Sequence, residues 1–294
     1  MPSLKELQTR RKSIQATKKI TSAMKLIAAA KLKRAQEKAQ AARPYVAMLS
    51  EMLEELMMSP IPLSEAPLLL KGTGKNEVHL LIAATSNRGL CGSFNSSLIR
   101  QVHKVIRYHE ENKRNIKFIC IGRKGYEQLK MKYSSSIIEV FEAFDKPVFS
   151  YALKISAYIQ EILANKEFDT CSIVYNKFIS ALNQQVTEQP LIPYTSNLNL
   201  RKEGSPKKYP PSYSYEPSEK KILNELLPQN LNIQIFQALL ENSASEQGAR
   251  MTAMDGATRN AEQMIQELNL KYNRTRQAFI TKELIEIISG AEAL

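Results

Sequence analysis

The chain of 294 residues has no tryptophan, only ten glycines, and three cysteines and three histidines spread too widely to suggest a site. Cys91, Cys120 and Cys171 show no CxxC spacing. That argues against a metal centre or a disulfide framework and for reduced, mostly buried thiols. His79, His103 and His109 show no ligand spacing either. No apolar run reaches the roughly 18–20 residues of a membrane span. The opening MPSLKELQTRRKS has no apolar signal core. Its charge would suit a transit peptide, but the helical pattern continues through it unbroken, so it reads as structure. Scarce glycine, with abundant Ala, Lys, Glu, Leu and Gln, favours long helices.

What is present is unevenly placed. Apolar residues make up 43% of the chain, which excludes wholesale disorder. The net charge of +12 is concentrated at one end: residues 1–43 hold twelve Lys and Arg against Glu6 and Glu37 alone, whereas residues 218–294 are slightly acidic. A basic arm implies an acidic partner, whether protein, nucleic acid or membrane surface.

Residues 3–58 read as one helix, with Ser3 and Glu6 as a capping box and a bend expected at Pro44. At 1.5 Å per residue it would run about 80 Å, too long to stand without a partner. Leu7, Ile14, Thr21, Ala28, Ala35 and Ala42 mark a seven-residue stripe, flanked by Leu4, Met24 and Ile27. Small seam residues let two helices approach closely. The remaining Lys and Arg form either a solvated face or a basic track facing acidic neighbours.

Residues 59–77 read as a linker. An alternating pattern follows over 78–194: strands at Val78–Thr85, Ile116–Ile121, Ile137–Phe141, Thr170–Phe178 and Gln185–Pro193, with helices at Ser93–Glu111, Arg123–Lys132 and Phe149–Asn165. That order predicts a three-layer, Rossmann-like α/β domain with a mostly parallel sheet and an antiparallel pair at one edge. Residues 195–217 read as an exposed loop whose Tyr209, Tyr213 and Tyr215 either pack back or dock a partner. Residues 218–294 are a second long helix, its first turn set apart by Pro228. Its stripe is expected through Ile235, Leu239, Asn242, Glu246, Ala249, Ala253, Gly256, Asn260, Met264, Leu268, Tyr272, Thr275 and Phe279. Gly248 and Gly256 imply close backbone approach. The fold class is therefore α/β: the two terminal helices pair as a long antiparallel coiled coil, and the α/β domain lies between them in sequence.

The stretch ATSNRGLCGSFNSSL, 83–97, has the outline of a phosphate loop. A working P-loop needs Lys then Ser or Thr, but Gly92 is followed by Ser93 and Phe94. A dinucleotide fingerprint needs three glycines and an acid after the next strand; here only Gly89 and Gly92 fit, and the second strand ends in Gly122-Arg123-Lys124. The loop reads as a structural turn, with an anion held by its amides and Arg88 as the alternative. No Ser-His-Asp set, paired carboxylates or HExxH appears elsewhere. A nucleotide-using enzyme with helical arms and a basic nucleic-acid binder remain the rival readings; the second predicts salt-steep DNA affinity.

The C-terminal ITKELIEIISGAEAL, 280–294, resembles the signature of the gamma subunit of F-type ATP synthases through Ile280, Thr281, Glu283, Glu286, Gly290 and Ala291. KITSAMKLIAAAK (19–31), SNRGLCGSFN (86–95) and ENSASEQGARMTAMDGATRNA (241–261) agree, in order, over essentially the whole chain. The resemblance implies a central rotor shaft that couples proton flow through a membrane c-ring to conformational cycling of the catalytic beta subunits. ATP is made in one direction and hydrolysed to pump protons in the other. It implies no catalytic residue, cofactor or metal in this chain, with ATP, ADP, phosphate and Mg held by partner subunits. Expected partners are the alpha and beta hexamer, epsilon and the c-ring, with no nucleic acid. The expected location is peripheral, on the cytoplasmic face of a bacterial inner membrane, since no leader precedes the helix.

Residue by residue, the resemblance places Met24 beside acidic loops of beta. Arg250, Arg276 and Gln277 would bond to beta and alpha loops, with Thr281 and Glu283 in coupling, and Ile285–Leu294 in an apolar bearing. Tyr213 and Glu216 would meet the c-ring and epsilon. The plastid members' cysteine-bearing insert is absent, so no thiol switch is expected. Gly248 stands where alanine is more familiar, which would loosen the shaft.

Overall fold

A computed structural model describes residues 3–57, 67–143, 148–194 and 219–292. The chain divides into two compact units, one spanning Ala30–Ala249 and the other joining Met1–Ala29 to Arg250–Leu294.

In the larger unit a five-stranded sheet has the order β3-β2-β1-β4-β5. The strands are β1 (Val78–Ala84), β2 (Asn115–Ile121), β3 (Ile137–Phe141), β4 (Thr170–Phe178) and β5 (Gln184–Ile192). The first four are parallel; β5 runs antiparallel along β4, on which it turns back after a short connection. β1 is covered on both faces, which is why its sequence is a continuous apolar run rather than an alternating one. On one face Leu81, Ala83, Phe118 and Val174 pack against α3 (Phe94–Glu111) and Leu129 of α4 (Arg123–Tyr133). On the other, Leu80, Ile82, Ile119 and Ile173 meet α5 (Phe149–Ala164) and Leu231, Ile235 and Leu239 of α6 (Glu219–Glu292). A third cluster joins Leu49, Leu53 and Leu56 of α1 (Leu4–Met57) to Leu223, Leu227 and Ile233 of α6. A single turn, α2 (Leu68–Lys71), leads into β1. Asp169 fixes that entry by accepting hydrogen bonds from the Thr73 hydroxyl and from the amides of Glu77 and Val78, both at 2.9 Å.

Pro228 does not set apart a first turn: α6 is one helix from Glu219, with Pro228 inside it. Leu223, Leu227 and Leu231, on either side of the proline, are all buried, and this packing outweighs the hydrogen bond the proline cannot donate. α1 likewise continues through Pro44. At its start Glu6 N–H donates to Ser3 Oγ (3.2 Å) and Ser3 N–H to the Glu6 carboxylate (3.0 Å), completing the capping box.

In the smaller unit α1 and α6 run antiparallel, held by a ladder with equal steps. Lys25 meets Asp255 at 2.6 Å, Lys18 meets Glu262 at 2.7 Å, and Arg11 bonds Asn269 at 3.2 Å while lying over the Tyr272 ring. Each rung is seven residues from the next on both helices, the spacing of a coiled coil. Leu7, Thr21 and Ala28 are buried in the seam opposite Met254 and Ala261. The expected stripe needs correcting here. Asn260 and Met264 are exposed, and the seam passes through Met254, Thr258, Ala261, Ile265, Leu268, Tyr272 and Thr275. Consecutive four-residue steps from Gly256 drift around the helix, whereas alternating threes and fours stay on one face. Phe279 also lies outside, 52% exposed. Ile27, expected at the edge of the α1 stripe, is 56% exposed.

Candidate functional site

The sequence raised the glycine loop after β1, and the fold decides what it can do. In open α/β sheets a ligand sits outside the carboxyl ends of the strands where the strand order reverses. Here that crevice opens between β1 and β4. It is filled from within. Asn242 and Ser245 of α6 bond to Asn176 at the end of β4, and beside them Leu239, Asn242, Ser243 and Glu246 face Thr85, Ile121, Ala143 and Tyr151, over the ends of β1, β2 and β3, across a gap of about 20 Å³. That volume holds about one water molecule.

Side chains of the loop accept amides from within it and from the segments beside it. Ser86 N–H donates to Asn95 Oδ1 (3.1 Å), and Arg123 N–H and Ala143 N–H both donate to Asn87 Oδ1, at 3.0 and 3.2 Å. Gly125 N–H donates to Thr85 Oγ1 (2.8 Å). Gly122, at φ +93°, lies so close to Thr85 that an added Cβ would sit 2.3 Å from the Thr85 carbonyl oxygen. These bonds tie the ends of β1, β2 and β3 together. Burial raises the Cys120 thiol to about 12 and the Cys171 thiol also, so both stay protonated. Among the described residues no group of His, Cys, Asp and Glu is disposed to hold a metal ion, and no helix is long and apolar enough to cross a membrane.

α6 is enclosed where it meets this crevice. All nine residues from Glu241 to Ala249 are buried, though six of them are polar or charged. Asn176 of β4 donates its N–H to Asn242 Oδ1 (3.0 Å) and accepts the Ser245 hydroxyl on its carbonyl (2.8 Å). Cys91 and Phe94 pack on Ala249. A Cβ on Gly248 would come within 3.3 Å of the Phe178 ring and 3.4 Å of Ala181 Cα, so the expected close approach is present there, under the β4–β5 hairpin. It is absent at Gly256, where an added Cβ would meet nothing within 4 Å.

The residues singled out from the sequence fall in three places. Met24 and Arg250 are half-buried on the paired helices. Arg276 is exposed and, one seven-residue step beyond Asn269, stands opposite Leu4 at the start of α1. Past it α6 runs on with no facing helix among the described residues. Gln277, Thr281 and Glu283 lie exposed on this extension, where the Thr281 hydroxyl donates to the Gln277 carbonyl at 2.9 Å. Ile280, Leu284, Ile285, Ile287 and Ile288 are also exposed there, an apolar surface of the kind that marks a partner's seat. Tyr213 and Glu216 lie outside the described residues.

The sequence reading missed the inward use of the basic arm. Arg11, Lys18 and Lys25 turn to α6, and the Lys25 hydrogen bond, with Arg259 on the other oxygen, holds the Asp255 carboxyl below its usual range. The matching seven-residue spacing of Asp255, Glu262 and Asn269 was the available signal. The enclosure of Asn242 and Ser245 left no such signal.

A family model described as ATP synthase matches residues 3–294. The chain is 50% identical over 303 residues to the ATP synthase gamma chain of Rhodospirillum rubrum, and 50% identical over 297 residues to that of Paramagnetospirillum magneticum, with 100% of both chains covered in each case. Among solved structures it is similar to a chain of the central stalk and c-ring of the Tetrahymena thermophila mitochondrial ATP synthase, with TM-score 0.60 and 27% identity over 81% of this chain and 99% of that one. It shares its fold with a chain of the Euglena gracilis enzyme in rotational state 3, with TM-score 0.68 and 19% identity over 99% and 94% of the two chains.

Proposed function

Since the chain belongs to the ATP synthase gamma-chain family, we propose that it transmits rotation and performs no nucleotide chemistry of its own. It is a central-stalk rotor subunit, coupling flow through the membrane c-ring to conformational cycling of the alpha and beta hexamer, with epsilon as a further partner. The observation that carries the non-catalytic reading is the filled crevice: α6 occupies with Asn242, Ser243 and Glu246 the place a nucleotide would need. ATP, ADP, phosphate and Mg then belong to the partner subunits, and the chain works at the cytoplasmic face of a bacterial membrane without entering it.

The residue roles that the family resemblance implies complete the proposal. Met24 offers a flexible apolar contact to acidic beta loops. Arg250, Arg276 and Gln277 bond to beta and alpha loops, an arginine fork holding one rotary angle. Thr281 and Glu283 act in coupling, the apolar extension turns in an apolar bearing, and Tyr213 and Glu216 meet the c-ring and epsilon. Titration calorimetry of the isolated chain with MgATP tests the reading. No saturable heat at millimolar nucleotide is expected, and a micromolar site on this chain would overturn it.

A further inference from the structure

We infer that the seat of α6 on the carboxyl end of β4 is the joint at which the α/β domain takes up the twist of α6, with Asn242 and Ser245 as its positioning residues. This inference rests on the rotary function proposed above.

β1 pairs with β4 only as far as Val174. Beyond that point the β1 side of β4 has no strand beside it among the described residues, and the N–H and C=O of Asn176 are instead met by two side chains of α6. Asn242 and Ser245 are three residues apart, hence on one face of the helix. One accepts and the other donates to the same strand residue, so the pair fixes the helix in rotation as well as in position. Apolar packing alone fixes it less well, because it is non-directional. Hydrogen bonds weaken steeply with misalignment.

The rest of the enclosure supports the same role. Nine successive residues at 100° each turn every face of the helix inward, and all nine are buried. Contacts come from the β4–β5 hairpin at Gly248, the loop after β1 at Ala249, and the crevice wall at Asn242 and Ser243. A helix needing only stability at this depth would be apolar all round. This one keeps polar groups there, and leaves Glu241 Oε2, Gln247 Nε2 and Asn176 Nδ2 without hydrogen-bond partners among the described residues. The same helix continues to Glu292, carrying the ladder to α1.

The test uses the complete synthase in sealed vesicles, measuring ATP hydrolysis and ATP-driven proton uptake together. In Asn242→Leu/Ser245→Ala, protons taken up per ATP should fall at least threefold while hydrolysis stays within twofold, because α6 slips in its collar. Asn242→Asp, which keeps the accepting oxygen, should retain the wild-type ratio. An unchanged ratio in the assembled double variant, a parallel loss of hydrolysis and uptake, or an uncoupled Asn242→Asp would each overturn the joint. Should the double variant not assemble, Ser245→Ala decides: a lowered ratio supports the joint, whereas an unchanged ratio or failed assembly overturns it. Failure of the wild-type complex to pump at all would instead sink the rotary reading itself.

Discussion

His79 stands on β1 with its ring stacked on that of His109, 4.0 Å away, and its nitrogens 2.7 Å from Thr170 Oγ1 and 2.9 Å from Ser172 Oγ. Burial, then the neighbouring His109 and Arg114, lowers its pKa from 6.5 to about 3. The neutral ring is the form the fold accepts. Stability from this residue is therefore whole above pH 6.5 and erodes as pH falls towards 3. Between pH 7 and 5.5 the loss from His79 should be about 1 kcal/mol. Urea midpoints at the two pH values check it, and His79→Asn should flatten the difference. Met24 raises a different question at the same scale. Substitution by lysine adds an ion-pairing group to a half-buried site facing acidic loops in the proposed complex. Met24→Lys should lower protons pumped per ATP several-fold with hydrolysis largely kept, and an unchanged ratio would argue against Met24 as a rotor contact.

At the scale of elements, the helix pair is held by small seam residues more than by its charges. Ala28 is 1% exposed, and a larger side chain there has no room. Ala28→Leu should cost about 1–3 kcal/mol, read as a lowered thermal midpoint. The ladder pairs are partly exposed, so each contributes only about 0.2–1 kcal/mol, and removing one charge should scarcely move that midpoint. The strands and the helices between them were legible because burial on both faces writes a continuous apolar run and amphipathic helices write a period of 3.6. The start of α6 was not legible: local propensity at Pro228 argues for a break, and the packing of Leu223 and Leu227 on α1 and of Leu231 on the sheet that overrides it comes from residues distant in sequence. Likewise, the glycine loop was read as a structural turn with an anion site as the alternative, but nothing in it could reveal that α6 lies against its base. That fact belongs to residues about 150 positions further on, and their polar character disguises them as surface.

At the scale of the whole molecule, one long helix serves three environments in succession. α6 pairs with α1 through leucines near its start, is enclosed by the α/β domain at Glu241–Ala249, and beyond Arg276 carries a surface with no facing helix among the described residues. That last portion should add function and not stability. A chain ending at Gln277 should melt within about 0.5 kcal/mol of the full chain, since surface residues away from packed contacts contribute little. Its complex with the alpha and beta subunits should lose coupling. A large drop in the melting midpoint of the shortened chain would mean that the terminal turns are packed after all.

The even spacing of the rungs has a consequence for how the two arms find their alignment. Displaced by seven residues, Lys18 would face Asp255 and Arg11 would face Glu262, so the acid–base marks read alike at neighbouring graduations. What distinguishes the true setting are the unlike marks, the Thr21 and Thr258 hydroxyls 2.8 Å apart and the Arg11 guanidinium over Tyr272. A chain of this design can therefore lengthen both arms together by a whole heptad and keep its charge code, while a gain of any other length in one arm alone would throw the scale out of step.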